Sequence, residues 1–174
     1  IGFHQFFFKS SKMISIYKGY LPGSIGRVIE LHGKYYADNW NFGAYFEGTI
    51  ATAMAEFIAR YDPGRDAIWL VLKDGRVEGS ITIDGIHAES EGAHLRWFIL
   101  SENLRGKGFG RQLLNHAIQF CQERNYASIY LRTFEGLHAA RKLYEGAGFR
   151  LVHQEVGEHW GPVVNVQEFL LKLR

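Results

Sequence analysis

The sequence predicts an α/β fold, a mixed and mostly antiparallel sheet with flanking helices. Three features point there. Leu95–Leu100 is a bulky, mostly apolar run followed by a glycine-rich turn, an amphipathic helix and a second apolar run at Ala127–Thr133. That order makes a right-handed crossover between parallel strands. Ala67–Leu72 and Val77–Ile83 flank Asp74-Gly75, a two-residue hairpin signal. Phe149–Val156 and Val163–Leu173 form a second antiparallel pair joined through Gly157–Pro162.

The remaining elements follow in order. Residues 1–12 are read as an N-terminal extension and 13–174 as a single domain. Ile1–Phe8 is apolar and aromatic but far too short to span a membrane and has no basic leader; Met13 reads as a natural start. Ile14 and Ile16 suggest a first strand, and Pro22-Gly23-Ser24 a turn with Ser24 as N-cap. A helix follows with Ile25, Val28, Ile29, Leu31, His32 and Tyr35 on or near its buried face. Asn39–Gly43 breaks it. A second helix runs from about Ala44 to Ile58 and stops before Asp62-Pro63-Gly64. Asp84–Gly92 is a loop. Leu113, Leu114, Ala117, Ile118, Phe120 and Cys121 recur at helical spacing over 108–124, with Asn125 at the C-terminal end. Gly136–Gly146 is the last helix.

Composition narrows the function classes. The chain has 174 residues, 47% hydrophobic and 22% charged, as in an ordinary globular domain. Twenty Lys+Arg against 18 Asp+Glu give a net charge of +2, so there is no broad basic field for nucleic acid, although a local patch at 105–111 remains. The single Cys121 excludes an intrachain disulfide or a cysteine-based zinc site and fits a reducing, cytoplasmic setting; it reads as core. Eight histidines form no H-E-x-x-H pattern, so no metal is expected. No G-x-S-x-G elbow is present.

The chemistry is concentrated in Arg105-Gly106-Lys107-Gly108-Phe109-Gly110-Arg111. Glycines between a strand and a helix start let backbone approach a ligand, and the first helical turn offers free N–H groups at the positive end of the dipole. This is an anion site, most often for phosphate. The G-x-G-x-G spacing fits neither the dinucleotide fingerprint nor the Walker loop. The plain alternative is a turn.

The segment Arg105-x-x-Gly108-x-Gly110 resembles the pyrophosphate loop R/Q-x-x-G-x-G/A of the GCN5-related N-acetyltransferases (GNAT). Ala140-Arg141-Lys142-Leu143-Tyr144-Glu145-Gly146-Ala147-Gly148-Phe149 lies within a stretch similar to that family's second signature, A-x-x-L-Y-x-x-x-G-F. The resemblance covers roughly 13–174 and is strongest over 94–150. It implies a GNAT-type acyl-CoA N-acyltransferase fold and transfer of acetyl from acetyl-CoA, a co-substrate, to a primary amine in a ternary complex. It further implies that Phe98, Ile99 and Leu100 bind the pantetheine arm through their backbone, between two splayed parallel strands. The pyrophosphate would lie on Arg105, Gly106, Lys107, Gly108, Phe109, Gly110 and Arg111. Tyr144 matches the signature tyrosine and is the expected general acid; the plain alternative is a core tyrosine.

For the base, His94 stands where several family members carry a carboxylate. Strict alternation would put it on one face with Arg96, Phe98 and Leu100; otherwise it is a surface histidine. Glu47 and Glu30 are rivals, or solvated helix glutamates. The two-helix segment would wall the acceptor site with Trp40, Phe42, Tyr45 and Phe46, unless these are core. His138 and Arg141 flank the tyrosine helix and touch either nucleotide or solvent. Leu137 departs from the family, which commonly has Asn there against the pantetheine.

The acceptor expected is a small-molecule or peptide amine, with no membrane partner and with nucleic acid disfavoured by charge; a toxin acting on charged tRNA is a lesser reading. The other class left open is a non-catalytic acyl-CoA-binding or regulatory domain. The chain is also similar to acetyltransferase domains fused behind MarR-type DNA-binding domains, though no helix-turn-helix is evident here. The apolar N-terminus and the final strand are candidate edges for a homodimer.

Overall fold

The computed structural model describes residues 13–174, and the 1–12 extension lies outside them. The order is β1 (Ile14–Lys18), α1 (Ser24–Trp40), α2 (Ala44–Ala59), β2 (Ala67–Lys73), β3 (Arg76–Asp84), β4 (Ala93–Leu100), α3 (Phe109–Glu123), β5 (Ser128–Phe134), α4 (His138–Gly146), β6 (Arg150–Gly157) and β7 (Val164–Lys172). Seven strands form one sheet in the order β1-β2-β3-β4-β5-β7-β6. Only β4 and β5 run parallel, giving the mixed, mostly antiparallel sheet expected. Asp74 (φ 51°) and Gly75 (φ 78°) are both left-handed, as a two-residue hairpin turn of the primed type requires.

Helices cover both faces. Leu113, Leu114, Ala117, Phe120 and Cys121 of α3 pack on one face against Trp69, Ile81, Ile83 and Leu95, with Tyr144 of α4 in the same cluster. On the other face, Val28 of α1 and Phe46, Ile50, Met54 and Phe57 of α2 cover Ile68, Leu70, Val77 and Trp97. The apolar periodicity of each helix meets the alternation of the strands, which is why the sheet is buried on both sides.

The decisive irregularity is in β4. The ladder pairs Thr82 with Arg96 and Ser80 with Ile99, so Ile81 of β3 faces two residues, Trp97 and Phe98. This is a bulge, and Trp97 adopts φ 45° to make it. The buried Ser80 hydroxyl donates to the Trp97 carbonyl at 2.6 Å. The bulge resets the alternation. Trp97 joins the α1/α2 side while Phe98 and Leu100 pack with the α3/α4 side. His94 and Arg96 therefore do not share a face with Phe98 and Leu100, because one inserted residue inverts every later side chain. β4 already leaves β5 before the bulge: their parallel pairing consists of Ala93↔Ile129 and His94↔Tyr130.

Three smaller expectations are corrected. Ser24 is the first residue of α1 and not its cap; left-handed Gly23 (φ 85°) precedes it without a side-chain cap. The Ser24 hydroxyl instead accepts a bond from the Leu21 N–H at 3.4 Å. α1 continues through Asn39 and Trp40, and left-handed Asn41 ends it. The final strand is interior, between β5 and β6, so it is no dimer edge; the sheet ends on β1 and β6.

Gly136 sits between β5 and α4 with φ +110°, and a Cβ there would overlap the Trp40 ring. Trp40 itself packs edge-on against Phe134 at 4.8 Å. Gly136→Ala is expected to cost about 1–3 kcal/mol of backbone strain, plus displacement of the indole. Urea unfolding of the two proteins measures it, and an unchanged midpoint would contradict this account.

Candidate active site

Where β4 and β5 part, a cavity of about 800 Å³ opens. Its floor is β4 from His94 to Leu100 and β5 from Leu131 to Phe134. Phe98, Ile99 and Leu100 all line it. Ile99 and Leu100 pair with Ser80 and Gly79 of β3, Phe98 sits in the bulge, and past His94 the β5-facing flank of β4 makes no ladder with β5.

One end is the glycine loop. Gly106 (φ 71°) and Gly108 (φ 85°) are left-handed, and Gly108 caps α3. A Cβ on Gly110 would press on the end of the Leu143 side chain and reach ordinary contact with Leu100 and Phe98. Arg105, Gly106, Gly108, Gly110 and Arg111 line the cavity, whereas Lys107 and Phe109 do not. Lys107 Nζ turns back to the Asn103 carbonyl at 2.7 Å, and Phe109 packs towards the core. Arg105 Nε donates to the Leu100 carbonyl at 3.1 Å, and its guanidinium lies 4.3 Å from the Tyr35 ring centre. A free helix start, left-handed glycines and two lining arginines fit the pyrophosphate of an acyl-CoA, and the unpaired flank of β4 fits its amide-bearing arm.

Tyr144 lines the cavity from α4, 6% exposed, with its ring near Phe98, Phe149 and Phe169. Burial alone pushes its phenol above the usual range. Tyr36 of α1 also lines the cavity and was missed from the sequence. Burial raises its phenol, neighbouring Tyr144 and Tyr35 add to this, and Arg105 opposes it. The periodicity of α1 ran through Tyr35, so its neighbour carried no separate signal.

The other end is cationic. His94 stacks on Tyr130 at 4.4 Å. Burial, then the charges of Arg96 and Arg132, bring its imidazole down to about 3. Arg96 donates to Asp84 at 3.1 Å, and Arg60 grips the same carboxylate with two bonds of 2.8 and 2.7 Å. Burial would raise Asp84, but these guanidiniums and the Ile86 N–H hold it at about 2. His32, buried under α1, falls to about 4 by burial, against a 2.8 Å contact with the Val28 carbonyl.

Other expected residues fall elsewhere. Glu47 is exposed on α2 and lies over Gly33 of α1, outside the cavity lining. Glu30 is tied to Arg27 and Lys34 at 2.7 and 2.6 Å. Of the four aromatics read as an acceptor wall, Phe46 lines the cavity, Phe42 is core, Trp40 backs Phe134, and Tyr45 is 66% exposed. The wall is instead Tyr35, Tyr36, Phe46, Phe134 and Trp160. Leu137 lines the cavity; His138 and Arg141 do not, and Arg141 pairs with Glu145 at 2.8 Å. Cys121 is buried, its thiol pushed up to about 12. Among the described residues no group of three His, Cys, Asp or Glu is placed to hold a metal. None of the helices there is long and apolar enough to cross a membrane.

Comparison with known proteins bears on the same segments. The acetyltransferase (GNAT) family model matches residues 26–149. N-acetylaspartate synthetases of Rattus norvegicus and Homo sapiens are 30% identical over 128 residues, 73% of this chain. The match spans 42% and 41% of those relatives, so less than half of their length is represented. Among solved structures, a GNAT-family acetyltransferase from Staphylococcus aureus Mu50 superposes with a TM-score of 0.72 at 19% identity, covering 93% of this chain and 100% of that one. The yncA protein of Salmonella typhimurium, solved with its cofactor acetyl-CoA, gives 0.70 at 16% identity over 92% and 94%. At these identities the likeness is one of fold.

Buried His32 and half-buried His94 should make the fold acid-sensitive. Their folded values, about 4 for His32 and about 3 for His94, lie below the ordinary 6.5. As pH falls below about 6.5 the unfolded chain binds protons first, so stability declines from there towards pH 3. Asp84 adds a further loss between about 4 and 2. Thermal melts from pH 7 to pH 4.5 should show a falling Tm, each kcal/mol moving it by roughly 2–4 °C. His94→Gln should flatten the slope; a flat wild-type profile contradicts the assignment.

Proposed function

The chain belongs to the acetyltransferase (GNAT) family of acyltransferases, and on that premise we propose that it transfers acetyl from acetyl-CoA to a primary amine by direct attack in a ternary complex. The parting of β4 from β5, with a glycine loop at one end and the Tyr144 phenol in the wall, is the observation that supports this. The N-acetylaspartate synthetase relatives fit an amino-acid amine as acceptor. A cytoplasmic setting, where the thiol of Cys121 stays reduced, belongs to the same reading.

The residues divide the work. Gly106, Gly108, Gly110, Arg105 and Arg111 hold the phosphates, and the backbone of Phe98–Leu100 holds the pantetheine. Acetyl-CoA supplies an activated thioester. The neutral amine attacks its carbonyl carbon, the new C–N bond forms, and the C–S bond breaks. Backbone N–H groups near Phe98–Leu100 stabilise the oxygen as charge gathers on it. The Tyr144 hydroxyl gives its proton to the departing sulfur and regains one from solvent. The amine's surplus proton leaves through water past His94. A neutral imidazole with a value near 3 relays a proton but does not store it. Glu47, outside the lining, takes no part in this scheme.

Thiol release from acetyl-CoA against an amine panel tests the reading. Tyr144→Phe should lower kcat by about 10²–10⁴-fold, with the acetyl-CoA-induced thermal shift retained. Equal turnover in the variant removes Tyr144 from its role. A thermal shift with no turnover on any amine would favour the acyl-CoA-binding domain instead.

A further inference from the structure

Resting on that reading, we infer that the acceptor amine also carries a carboxylate, bound between Arg96 of β4 and Arg132 of β5. His94 and Tyr130 are the last ladder partners before the strands part. Two residues further along each strand, on the same face, stand Arg96 and Arg132, and both line the cavity. Like charges facing each other on neighbouring strands repel. Here each guanidinium turns aside to a carboxylate, Arg96 to Asp84 at 3.1 Å and Arg132 to Glu168 at 3.0 Å.

Those partners do not neutralise the site. Asp84 is already gripped twice by Arg60, so one carboxylate serves two guanidiniums and a positive charge is left over. Among the described residues no Asp or Glu lines the cavity. Aromatic faces set the guanidiniums in place: Arg96 lies 4.2 Å from the Trp97 ring centre and Arg132 5.8 Å from that of Tyr130. Both keep solvent access, with side chains 22% and 56% exposed. Burial first, and then the charges of Arg96 and Arg132, lower the basicity of nearby His94. Paired, partly desolvated guanidiniums are the arrangement that selects planar carboxylates. The phosphates have their own loop beyond the carboxyl end of β4, so this pair is free for the acceptor. The ligand class is an amino acid or other small amine bearing at least one carboxylate.

The test is calorimetric titration of N-acetylaspartate, and separately its diamide, into the protein with CoA present. The diacid should bind at least about tenfold more tightly than the diamide, the worth of one charge-assisted hydrogen bond. Arg132→Gln should reduce that preference to within about threefold, Arg132→Lys should restore part of it, and high salt should weaken it. Arg132 has a surface partner only, so its variants should fold; Arg96→Gln, which disturbs Asp84, is judged only if its melt is cooperative. Equal binding of diacid and diamide, binding of neither, or a preference unaltered in Arg132→Gln would each overturn the inference. Thiol release separates the two levels. Acetylation of neutral amines without preference for acidic ones leaves the transferase reading and removes the subsite. A diacid preference without acetylation of any amine leaves the subsite and removes the transferase reading.

Discussion

Two ladder positions tie β4 to β5, and the cavity exists because there is no third. A parallel pair normally continues for the length of its shorter strand, since each unpaired backbone group carries a desolvation cost. Here the pairing stops after His94, and the Trp97 bulge follows three residues later. The cost is met locally on one flank, where Ser80 Oγ satisfies the Trp97 carbonyl and β3 resumes its pairing at Ile99 and Leu100. On the other flank Arg105 takes the Leu100 carbonyl and no ladder to β5 follows His94, so a ligand with amide donors and acceptors would extend the sheet there. On the proposed reading, affinity for acyl-CoA would come from this missing strand.

The cationic end is held by a charge network rather than by apolar packing. Arg60, just past the end of α2, reaches Asp84 at the end of β3, and Arg96 of β4 reaches the same carboxylate. Asp66, fully buried, accepts from the N–H groups of Asp62 and Gly85 and from Arg65. Together these bonds fasten the α2–β2 connection to the strand ends beneath the cavity. Buried pairs of this kind contribute little net stability but are costly to break singly, because the abandoned partner keeps its charge. Their effect is positional: α2, which carries Phe46, Thr49, Ile50 and Ala53 over the cavity, is fixed relative to β4.

The sequence disclosed what is periodic or local. Every strand and α-helix of the described residues could be placed, because the apolar positions of α3 and the alternation of β2 and β3 are read from neighbours along the chain. The glycine loop and the tyrosine helix could be found because their residues are contiguous. What escaped was non-local. The bulge has no local signature, since a tryptophan at φ 45° violates its own preference and is held there by Ser80 across the sheet. Strict alternation therefore put His94 on the wrong face relative to Phe98. The Arg60–Asp84–Arg96 network joins residues far apart in sequence, and nothing near Asp84 marks it. Aromatic content near 40–46 suggested a wall, but the choice between lining and core depends on how the α1–α2 connection and the start of α2 are set, which puts Phe42 inward and Tyr45 outward.

Burial also bears on how a phenol serves as the acid in the proposed mechanism. A free thiol ionises near ~8.5 and a free phenol near ~10, so a tyrosine is a reluctant donor to a thiolate in water. Removing Tyr144 from water raises it further, which by itself would worsen the mismatch. The same desolvation acts on the sulfur. Cys121, a thiol in the neighbouring core, is driven to about 12 by burial alone, and a sulfur leaving against a partly desolvated wall would shift in the same direction. What governs the transfer is the difference between donor and acceptor, not either value in water. A hydroxyl kept protonated by its surroundings is ready at every pH where the fold survives, and the demand for its proton arises only as the C–S bond opens.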